Sequence, residues 1–539
     1  MRARLADEQL HEVALCGVVA AAMSAFMVLA LPRGGDLAAH LYRTALVQHG
    51  ILVWDNLWFA GQYPLSSYSL LYYLLAAVLG NVVLGIAGVV FAAAIFASIA
   101  HREWEAVGRW PARAFAVLLA GQAFTAAYPY DLGLAALLGT IWALQRRRVW
   151  TAVGCTLLTL GFSPLAFLFL GLALLALFLR RRRLSRQAII LAAAVAVAAG
   201  AQFALLVLLP SPGLMYPYGT WRLLAGLAVS GLGVALALRG RGGWHIASIF
   251  LVWAAASIVT DIVPSPVGHN LVRAGVFVVP LMLVAAALAD FRPRALATIA
   301  ILAALAGNVG PYLSMIPDRS SSLGAMRTFW APVIRFLRAH SAAAFRVEVV
   351  PTANHWEAYY LPAAGFALAR GWYRQLDIAD DAILYAQRLT EAGYRDWLRQ
   401  HGVRFVVLPH LPLEAIDAQR EARLLRSPRS NLKRVLRVSD ATIYELPHAT
   451  PLLTGPARAA VTTLQSSRIE GYVARPGTYF LRVRFSPYWS VTRGFFCLSP
   501  GRSAMTELRA MRAGSFTIQA AETPVGVLTD LLDRDSRHC

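Results

Sequence analysis

RRRVWTAVGCTLLTLGFSPLAFLFLGLALLALFLRRRR, residues 146–183, is the stretch on which the topology of the chain turns. Arginine clusters close both ends of an apolar run that is longer than the ~20 residues a bilayer-crossing helix needs. Ser163-Pro164 divides it, because proline disfavours helical backbone at the residue before it and lacks an N–H donor. Basic residues at both outer ends stay on the cytoplasmic side, so the two halves read as a hairpin whose ends share one face. Short, proline-interrupted segments of this kind are tolerated where they line a protein cavity.

Working outward, the 539 residues are 58% hydrophobic and only 15% charged, which places the chain among integral membrane proteins. The formal charge of +21 comes almost wholly from arginine. These arginines cluster between apolar runs, as anchors facing anionic lipid do, and no basic, aromatic soluble module accompanies them, so the lipid bilayer and no nucleic acid is the expected partner. Residues 12–31 follow a short basic start and precede PRGGD, which lacks a small-residue cleavage site, so an uncleaved first span is expected. Further runs near 69–100, 114–128, 132–145, 149–162, 165–179, 187–210, 221–238, 244–263, 271–289 and 295–313 make about eleven membrane segments.

Alternate loops differ sharply in charge. One set carries seventeen arginines, at 2, 4, 102, 109, 113, 146–148, 180–183, 186, 239, 241, 292 and 294; the other carries four, Arg33, Arg43, Arg222 and Arg273. The N-terminus is therefore expected inside and the loops rich in proline and aromatics outside, among them the polar excursion at 32–68. An odd number of spans sends the remainder of the chain outside too. The expected organisation is a transmembrane domain at 1–317 with outer loop 32–68, an extracytoplasmic α/β domain at 318–450, and an extracytoplasmic β-rich domain at 451–539. Strands are expected at Arg346–Val350 and Arg404–Leu408, and a helical period runs through ADDAILYAQRLTEAGYRDWLRQHG. GYVARPGTYFLRVRFSPYWSV reads as strand, Pro-Gly turn and strand, with Tyr479, Leu481, Val483 and Phe485 on one face. Cys497 and Cys539 can pair if this region is outside the cytoplasm; Cys16 and Cys155 lie in apolar segments and read as small buried hydrophobes.

Among polar residues, Asp36 stands first. It lies just beyond the first span, and helical spacing in the following segment puts Asp36 and His40 one turn apart on one face. A carboxylate there can deprotonate an acceptor hydroxyl or help hold a divalent cation, Mg or Mn, and His40 can orient it or bind phosphate; equally, Asp36 can cap the helix at 37–49. In WDNLWFAGQYP, residues 54–64, Asp55 sits among Trp54, Trp58 and Tyr63, which suit either an interfacial belt or a sugar-stacking platform. Asp131, opening the fourth segment, is a second outward carboxylate, able to cap its helix or, with Asp36, to serve a base-and-metal arrangement. Arg222, His269 and Arg273 lie just inside the outer ends of spans, where a cation either snorkels or meets an anion such as a lipid phosphate. GHNLVR places His269 and Arg273 four apart on one helical face. The chain has no GxxxxGK[ST], HExxH or GxSxG motif and a single lysine, Lys433, so the signatures of nucleotide hydrolysis, zinc proteolysis, hydrolase-type acyl transfer and Schiff-base chemistry are missing.

G-G-D-x-x-x-H at 34–40, followed by WDNLWFAGQYP and a tyrosine-rich helix start, resembles the first outer loop of YfhO-like and pyruvoyl-tetrahydropterin-synthase-related bacterial membrane proteins, which look like members of the glycosyltransferase C superfamily. YPYDLG at 128–133 and GFSPLAFLFLGLAL at 161–174 resemble their middle spans, and GVRFVVLP at 402–409 with IYELP at 443–447 their outer domain. The resemblance implies a multi-pass protein of the bacterial cytoplasmic membrane that moves a sugar from a polyprenyl-phosphate donor to a cell-envelope glycan or protein. It gives Asp36 the role of general base. One acid stands here where the superfamily commonly has an adjacent pair, which leaves the metal open. On this expectation Arg273, His269 and Arg222 meet the donor phosphate, while Trp54, Asp55, Trp58, Tyr63 and Asp131 line the substrate site. The competing expectations are a transporter or flippase of lipid-linked saccharides and a non-catalytic envelope assembly protein.

Overall fold

At Ser163 the backbone leaves the helical region, with φ −155° and ψ 113°, and the long apolar run breaks there into two helices. The structure, a computed structural model, describes residues 2–30, 34–65, 68–179, 185–210, 215–240, 243–315 and 319–523, together with 525, 526 and 529. The second half of the RRRR cluster's hairpin boundary, residues 180–184, and the expected Cys497–Cys539 pairing thus lie outside the described residues. The chain divides into two compact units: Met1–Gly34, Tyr68–Leu208 and Met215–Asp318 form the first, and Gly35–Ser67, Leu209–Leu214 and Arg319–Cys539 the second.

In chain order the helices are α1 (Arg2–Ala30), α2 (Asp36–Gln48), α3 (Tyr72–Leu79), α4 (Asn81–Trp104), α5 (Arg109–Thr125), α6 (Tyr128–Gln145), α7 (Val149–Phe162), α8 (Pro164–Leu179), α9 (Arg186–Leu208), α10 (Thr220–Ala237), α11 (Trp244–Ile262), α12 (Val278–Leu288) and α13 (Arg294–Met315). All but α2 belong to the first unit. Their bounds follow the apolar runs closely, yet six stretches among the described residues are both long and apolar enough to cross a membrane: Asp7–Leu29, Asn81–Thr125, Arg186–Leu208, Thr220–Ala237, Trp244–Ile262 and Gly268–Leu288. Shorter apolar helices lie at Val149–Phe162, Pro164–Leu179 and Arg294–Val309.

Two of these stretches fold back on themselves. Phe96 in α4 and Phe115 in α5 stack at 4.2 Å on either side of the turn between these helices, so 81–125 is a helical hairpin. Ala152 and Leu174, equally far from Ser163, meet in one apolar cluster with Ala143 and Leu191, so α7 and α8 also turn back. Ser163 stabilises that turn by accepting the Ala166 N–H on Oγ at 3.2 Å.

Arginine-rich turns gather at one end of this unit. Arg109 and Arg113 pair with Glu8 and Glu12 at 2.8 and 2.6 Å. Gln9 and Arg146 both donate to Ser98 Oγ, each at 3.1 Å. The proline- and aromatic-rich turns meet one another instead: Leu70 and Leu71 donate to the Gly161 carbonyl, Tyr216 to that of Ser265, and Gln122 to that of Arg273. Among the described residues, the turns at 102–113 and 146–148 thus share partners with the start of α1, while the proline-rich turns share partners with one another.

The second unit is α/β and β-sheet. Helices α14 (Arg319–Gly324), α15 (Arg327–His340), α16 (Glu357–Ala363), α17 (Arg374–Asp380), α18 (Ala382–Tyr385), α19 (Glu391–Gln400) and α20 (Ile416–Arg426) accompany strands β1 (Arg346–Val349), β2 (Val403–Pro409), β3 (Lys433–Arg437) and β4 (Ala441–Glu445). These strands form a sheet ordered β1-β2-β4-β3, parallel at β1/β2 and antiparallel elsewhere. Its core gathers Val403, Val406 and Leu408 with Tyr394, Trp397, Leu398 and Ala422. The expected long helix through 379–402 is divided, because Thr390 is an N-cap that restarts the helix by accepting the Gly393 N–H.

Eight further strands follow: β5 (Leu453–Thr454), β6 (Ala459–Leu464), β7 (Arg468–Val473), β8 (Gly477–Arg484), β9 (Trp489–Arg493), β10 (Phe496–Pro500), β11 (Met505–Ala510) and β12 (Gly514–Ala520). They make two antiparallel sheets, β10-β11-β8-β5 and β6-β7-β12-β9. Tyr479, Leu481 and Val483 are buried on one face as expected, while Phe485, expected with them, lies past the end of β8 and is only partly buried. The expected β7–β8 hairpin does not form: the Pro-Gly link carries the chain from one sheet to the other, and β7 pairs with β12 while β8 pairs with β11.

The loop expected to belong with the membrane segments packs in this second unit. Leu57 accepts from Leu368, Ala60 from Arg484, and Ser466 from Asn56, all through the backbone, so residues 49–65 are hydrogen-bonded to both the α/β part and the β-sheets.

Candidate functional site

Helix α2 owes its position to its two ends. At its close, Gly50 takes φ +74° and the Gly50 and Ile51 N–H groups return to the carbonyls of Val47 and Leu46, a glycine-terminated Schellman turn. At its start Gly35 is the N-cap, so Asp36 is the first helical residue and not the cap expected of it. A carboxylate there is favoured by the helix dipole. Asp36 is half-buried and His40, one turn on, is fully buried.

What surrounds the start of α2 comes from far along the chain. The Trp372 indole N–H donates to the Gly35 carbonyl at 3.0 Å. A Cβ on Gly35 would lie 3.5 Å from the Asn354 amide oxygen. Next to Asn354, His355 holds φ +50°, a left-handed conformation that costs a branched-ring residue backbone strain. Its imidazole sits 3.3 Å from Glu357 and 3.4 Å from Glu414, with its ring centroid 6.4 Å from that of Trp372. Arg374 also pairs with Glu414. Burial disfavours charge on His355, but Glu414 and Glu357 outweigh it and raise the imidazole to about 10. Burial likewise acts to push the Glu414 carboxyl up, yet His355 and Arg374 hold it at about 2. The result is a half-buried cluster of Asn354, His355, Trp372, Arg374 and Glu414 beside Asp36. Of these, only Trp372 carries a sequence-level signal, as one of several aromatics in the region; the rest approach α2 only through tertiary folding.

The other carboxylate of the excursion is differently placed. Asp55 is fully buried, accepting from Tyr42 Oη at 2.9 Å, from the Leu57 N–H at 3.1 Å and from Gln62 Nε2 at 3.3 Å. Burial pushes it up to about 6, against those hydrogen bonds. Trp54, Trp58 and Tyr63 are at most 5% exposed, which removes them from both roles expected of them, belt and platform. A stacking face must be open; theirs are closed by protein. Trp54 packs edge-on against Tyr63 and Trp489, Trp58 donates to the Ala358 carbonyl, and Tyr63 to Ser486. The buried Arg43 guanidinium lies 5.8 Å from the Trp58 ring and 5.9 Å from the Tyr373 ring.

The remaining candidates belong to the first unit. Asp131 is fully buried opposite Gly88, where an added Cβ would come 3.3 Å from its own Cβ, and it interacts electrostatically with Tyr72 alongside Tyr68, Tyr73 and Tyr128. Arg222 is exposed and bonded to the Tyr218 carbonyl one turn back. Arg273 lies 5.9 Å from the Tyr130 ring, and His269 packs against Tyr216. The shared helical face expected for His269 and Arg273 is absent, because Gly268–Phe277 is a 3-10 helix. With three residues per turn, positions three apart align, and Arg273 accordingly bonds Asn270 at 3.4 Å.

Asp36 and Asp131 fall in different units, and among the described residues no group of three or more His, Cys, Asp or Glu side chains is placed to hold a metal ion. No protein-family model matches the chain, and no curated protein is similar to it.

Proposed function

We propose that this protein is an extracytoplasmic membrane glycosyltransferase that moves a sugar from a polyprenyl-phosphate donor to a cell-envelope glycan or protein, with Asp36 as general base. The observation that carries the proposal is Asp36 itself, a half-exposed carboxylate at the first residue of α2 with Trp372 bonded to the preceding carbonyl and Asn354 alongside. Aromatic surface next to a carboxylate and a fringe of hydrogen-bonding groups is the chemistry with which proteins hold and activate a sugar hydroxyl. In the step assigned, the Asp36 carboxylate takes the acceptor hydroxyl proton, the oxygen bonds to the anomeric carbon, and the anomeric C–O bond to phosphate breaks with its electron pair leaving on the polyprenyl phosphate.

Topology supports the same reading. Residues 35–67 and 319–539 form one compact unit, so both lie on one side of the membrane and an even number of crossings separates them. An eleven-segment arrangement, with one segment ahead of the loop and with 81–125 and 149–179 both folded back, meets that condition. The excess of arginine in one set of loops supports a reading with the N-terminus inside and residues 319–539 outside.

The test is release of polyprenyl phosphate from a panel of lipid-linked sugars by the purified protein. Asp36→Asn is expected to abolish release while leaving the melting temperature unchanged; wild-type turnover by that variant overturns the assignment of the base. Absence of turnover with every donor overturns the transferase reading.

A further inference from the structure

We propose that the buried Arg346 guanidinium, with Arg482 beside it, is a binding site for a single small monovalent anion of the halide class, such as chloride. Both residues belong to the second unit, Arg346 at the start of β1 and Arg482 in β8, where the α/β part meets the β-sheets. Arg346 is 0% exposed, and its Nη1 donates to the His401 carbonyl at 2.9 Å and to the Arg482 carbonyl at 2.6 Å. Its Nε and Nη2 are equally sealed from solvent and have no hydrogen-bond partner among the described residues, and the same holds for Arg482 Nε. Nε and Nη2 form one edge of the planar guanidinium, with N–H bonds side by side, and that edge grips an anion as a fork.

Backbone contacts lock the two arginines in place. The Arg346 N–H donates to the Gly402 carbonyl at 2.8 Å, and Gly402 holds φ +68°, so the turn into β2 favours a residue without a Cβ. An added Cβ there would lie 2.8 Å from Leu452 Cδ2 and 3.6 Å from Arg482 Cδ, which places the Arg482 stem against the same turn. Arg482 Nη1 donates to the Pro451 carbonyl and to Thr454 Oγ1, each at 3.0 Å. Its backbone N–H donates to the Leu452 carbonyl, and the Leu452 N–H to that of Ala344, both at 2.8 Å. Donors immobilised before binding lose little conformational freedom when a ligand arrives.

Charge selects the ligand. Burial, followed by the neighbouring Arg484 and Arg482 cations, lowers Arg346 to about 9, so it remains a cation at neutral pH. Arg484 is matched by Asp380 at 2.6 Å, and Arg370, further off, by Glu348 and Glu421. Among the described residues no carboxylate pairs with Arg346 or Arg482, and the charged neighbour acting on Arg482 is Arg502, another cation. Burial holds the His401 imidazole down at about 4, so it adds no charge, and Asp381, which faces His401 at 3.5 Å, is pushed up by burial. Positive charge is therefore in excess here. A buried guanidinium without a counter-ion is strongly destabilising, and an anion in its N–H fork offsets that penalty. A halide accepts from several directions at once, which suits donors arriving from two arginines, and as a monovalent ion it is less costly to bury than a phosphate or sulfate dianion. Bound there, it ties β1 to β8 and makes the stability of the second unit depend on halide.

The test reads the fold and needs no sugar transfer, so it stands or falls apart from the transferase reading. Thermal unfolding of the purified full-length protein would be followed in sodium gluconate, with chloride, bromide or sulfate replacing gluconate at constant ionic strength. With either halide the midpoint is expected to rise and then level off, by about 5 °C once the halide is about a hundredfold above its dissociation constant. Arg346→Met, which removes the fork and its charge together, is expected to abolish the halide dependence. Arg482→Met is expected to weaken halide binding about tenfold. Because Arg346→Met also loses two carbonyl contacts and can fail to fold, wild-type crystals grown in bromide give an independent reading, with anomalous density expected at the Nε–Nη2 edge of Arg346. A midpoint indifferent to halide, a rise that does not level off, saturation by sulfate in place of halide, full halide dependence in Arg346→Met, or no bromide at that edge overturns the proposal.

Discussion

Asp36 and Asp55 lie in the same polar excursion and carry the same functional group, yet the turn that opens α2 and the loop that follows it use that group in opposite ways. Asp36 is half-buried at a helix start, next to the Gly35 carbonyl that the Trp372 indole N–H holds. Asp55 is sealed among Tyr42, Leu57 and Gln62, where it organises the loop's own backbone. A carboxylate kept for chemistry must reach its substrate; one kept for structure must not reach water. The difference is imposed by residues 319–539, which cover the loop at 49–65 on both sides and leave the start of α2 partly open.

The comparison is broken most severely by destroying the loop itself. Gly61 holds φ +125°, and a Cβ there would come 2.3 Å from Trp54 Cζ2. Gly61→Ala thus combines forbidden backbone geometry with a ring clash and is expected to cost about 4 kcal/mol. Thermal unfolding of the purified protein checks this, and sugar release should be lost with the fold.

Asp55 separates stability from activity. Asp55→Ala strands the Tyr42 hydroxyl and the Leu57 N–H and is expected to cost about 3 kcal/mol. Asp55→Asn is milder, because Gln62 Oε1, which has no hydrogen-bond partner, can accept the new amide after a flip of its own side chain. The carboxyl is raised from 3.8 to about 6 in the fold. Its contribution to stability is therefore fully present below pH 3.8 and lost as pH rises through about 6, amounting to about 3 kcal/mol. Asp55→Asn should remove that slope, so the melting temperature of the variant relative to wild type rises between pH 4 and 7 and is level above. Sugar release should survive, in contrast to the loss expected of Asp36→Asn.

Much of the fold was legible in the sequence where structure is local. Apolar runs bounded by arginine gave the helices of the first unit, and Ser163-Pro164 gave the break between α7 and α8. Pairing was not legible: nothing within GYVARPGTYFLRVRF says that β7 and β8 belong to different sheets, since their partners β12 and β11 come later in the chain. Helix type escaped as well, as GHNLVR suits an α-helix or the 3-10 helix it adopts. The site was half legible. Asp36 is marked by its place after the first apolar run, but Trp372 reaches Gly35 across 337 residues, and His355 and Glu414 meet only because the segments at 351–357 and 410–414 are joined, Ala353 to Pro412 and Glu414 to Pro351.

The smallest of the expected effects probes how Asp55 is sealed. Tyr42 projects from α2 itself, so its 2.9 Å hydrogen bond to Asp55, like that of Arg43 to the Pro64 carbonyl at 3.0 Å, is a direct link between the helix that carries Asp36 and the loop that does not. Tyr42→Phe keeps the ring that packs at 4.6 Å against Trp58 and removes only the hydroxyl. Leu57 and Gln62 still serve the carboxylate, so the cost is expected to be about 1.5 kcal/mol, the range of one hydrogen bond to a charged group. In a double-mutant cycle with Asp55→Ala the two losses should fall short of additive by about that amount, since the second substitution then removes a bond already gone. Additive losses would mean that Asp55 serves its loop without tying it to the helix of the proposed base, and that the tie is made by packing and by the Arg43 bond to the Pro64 carbonyl.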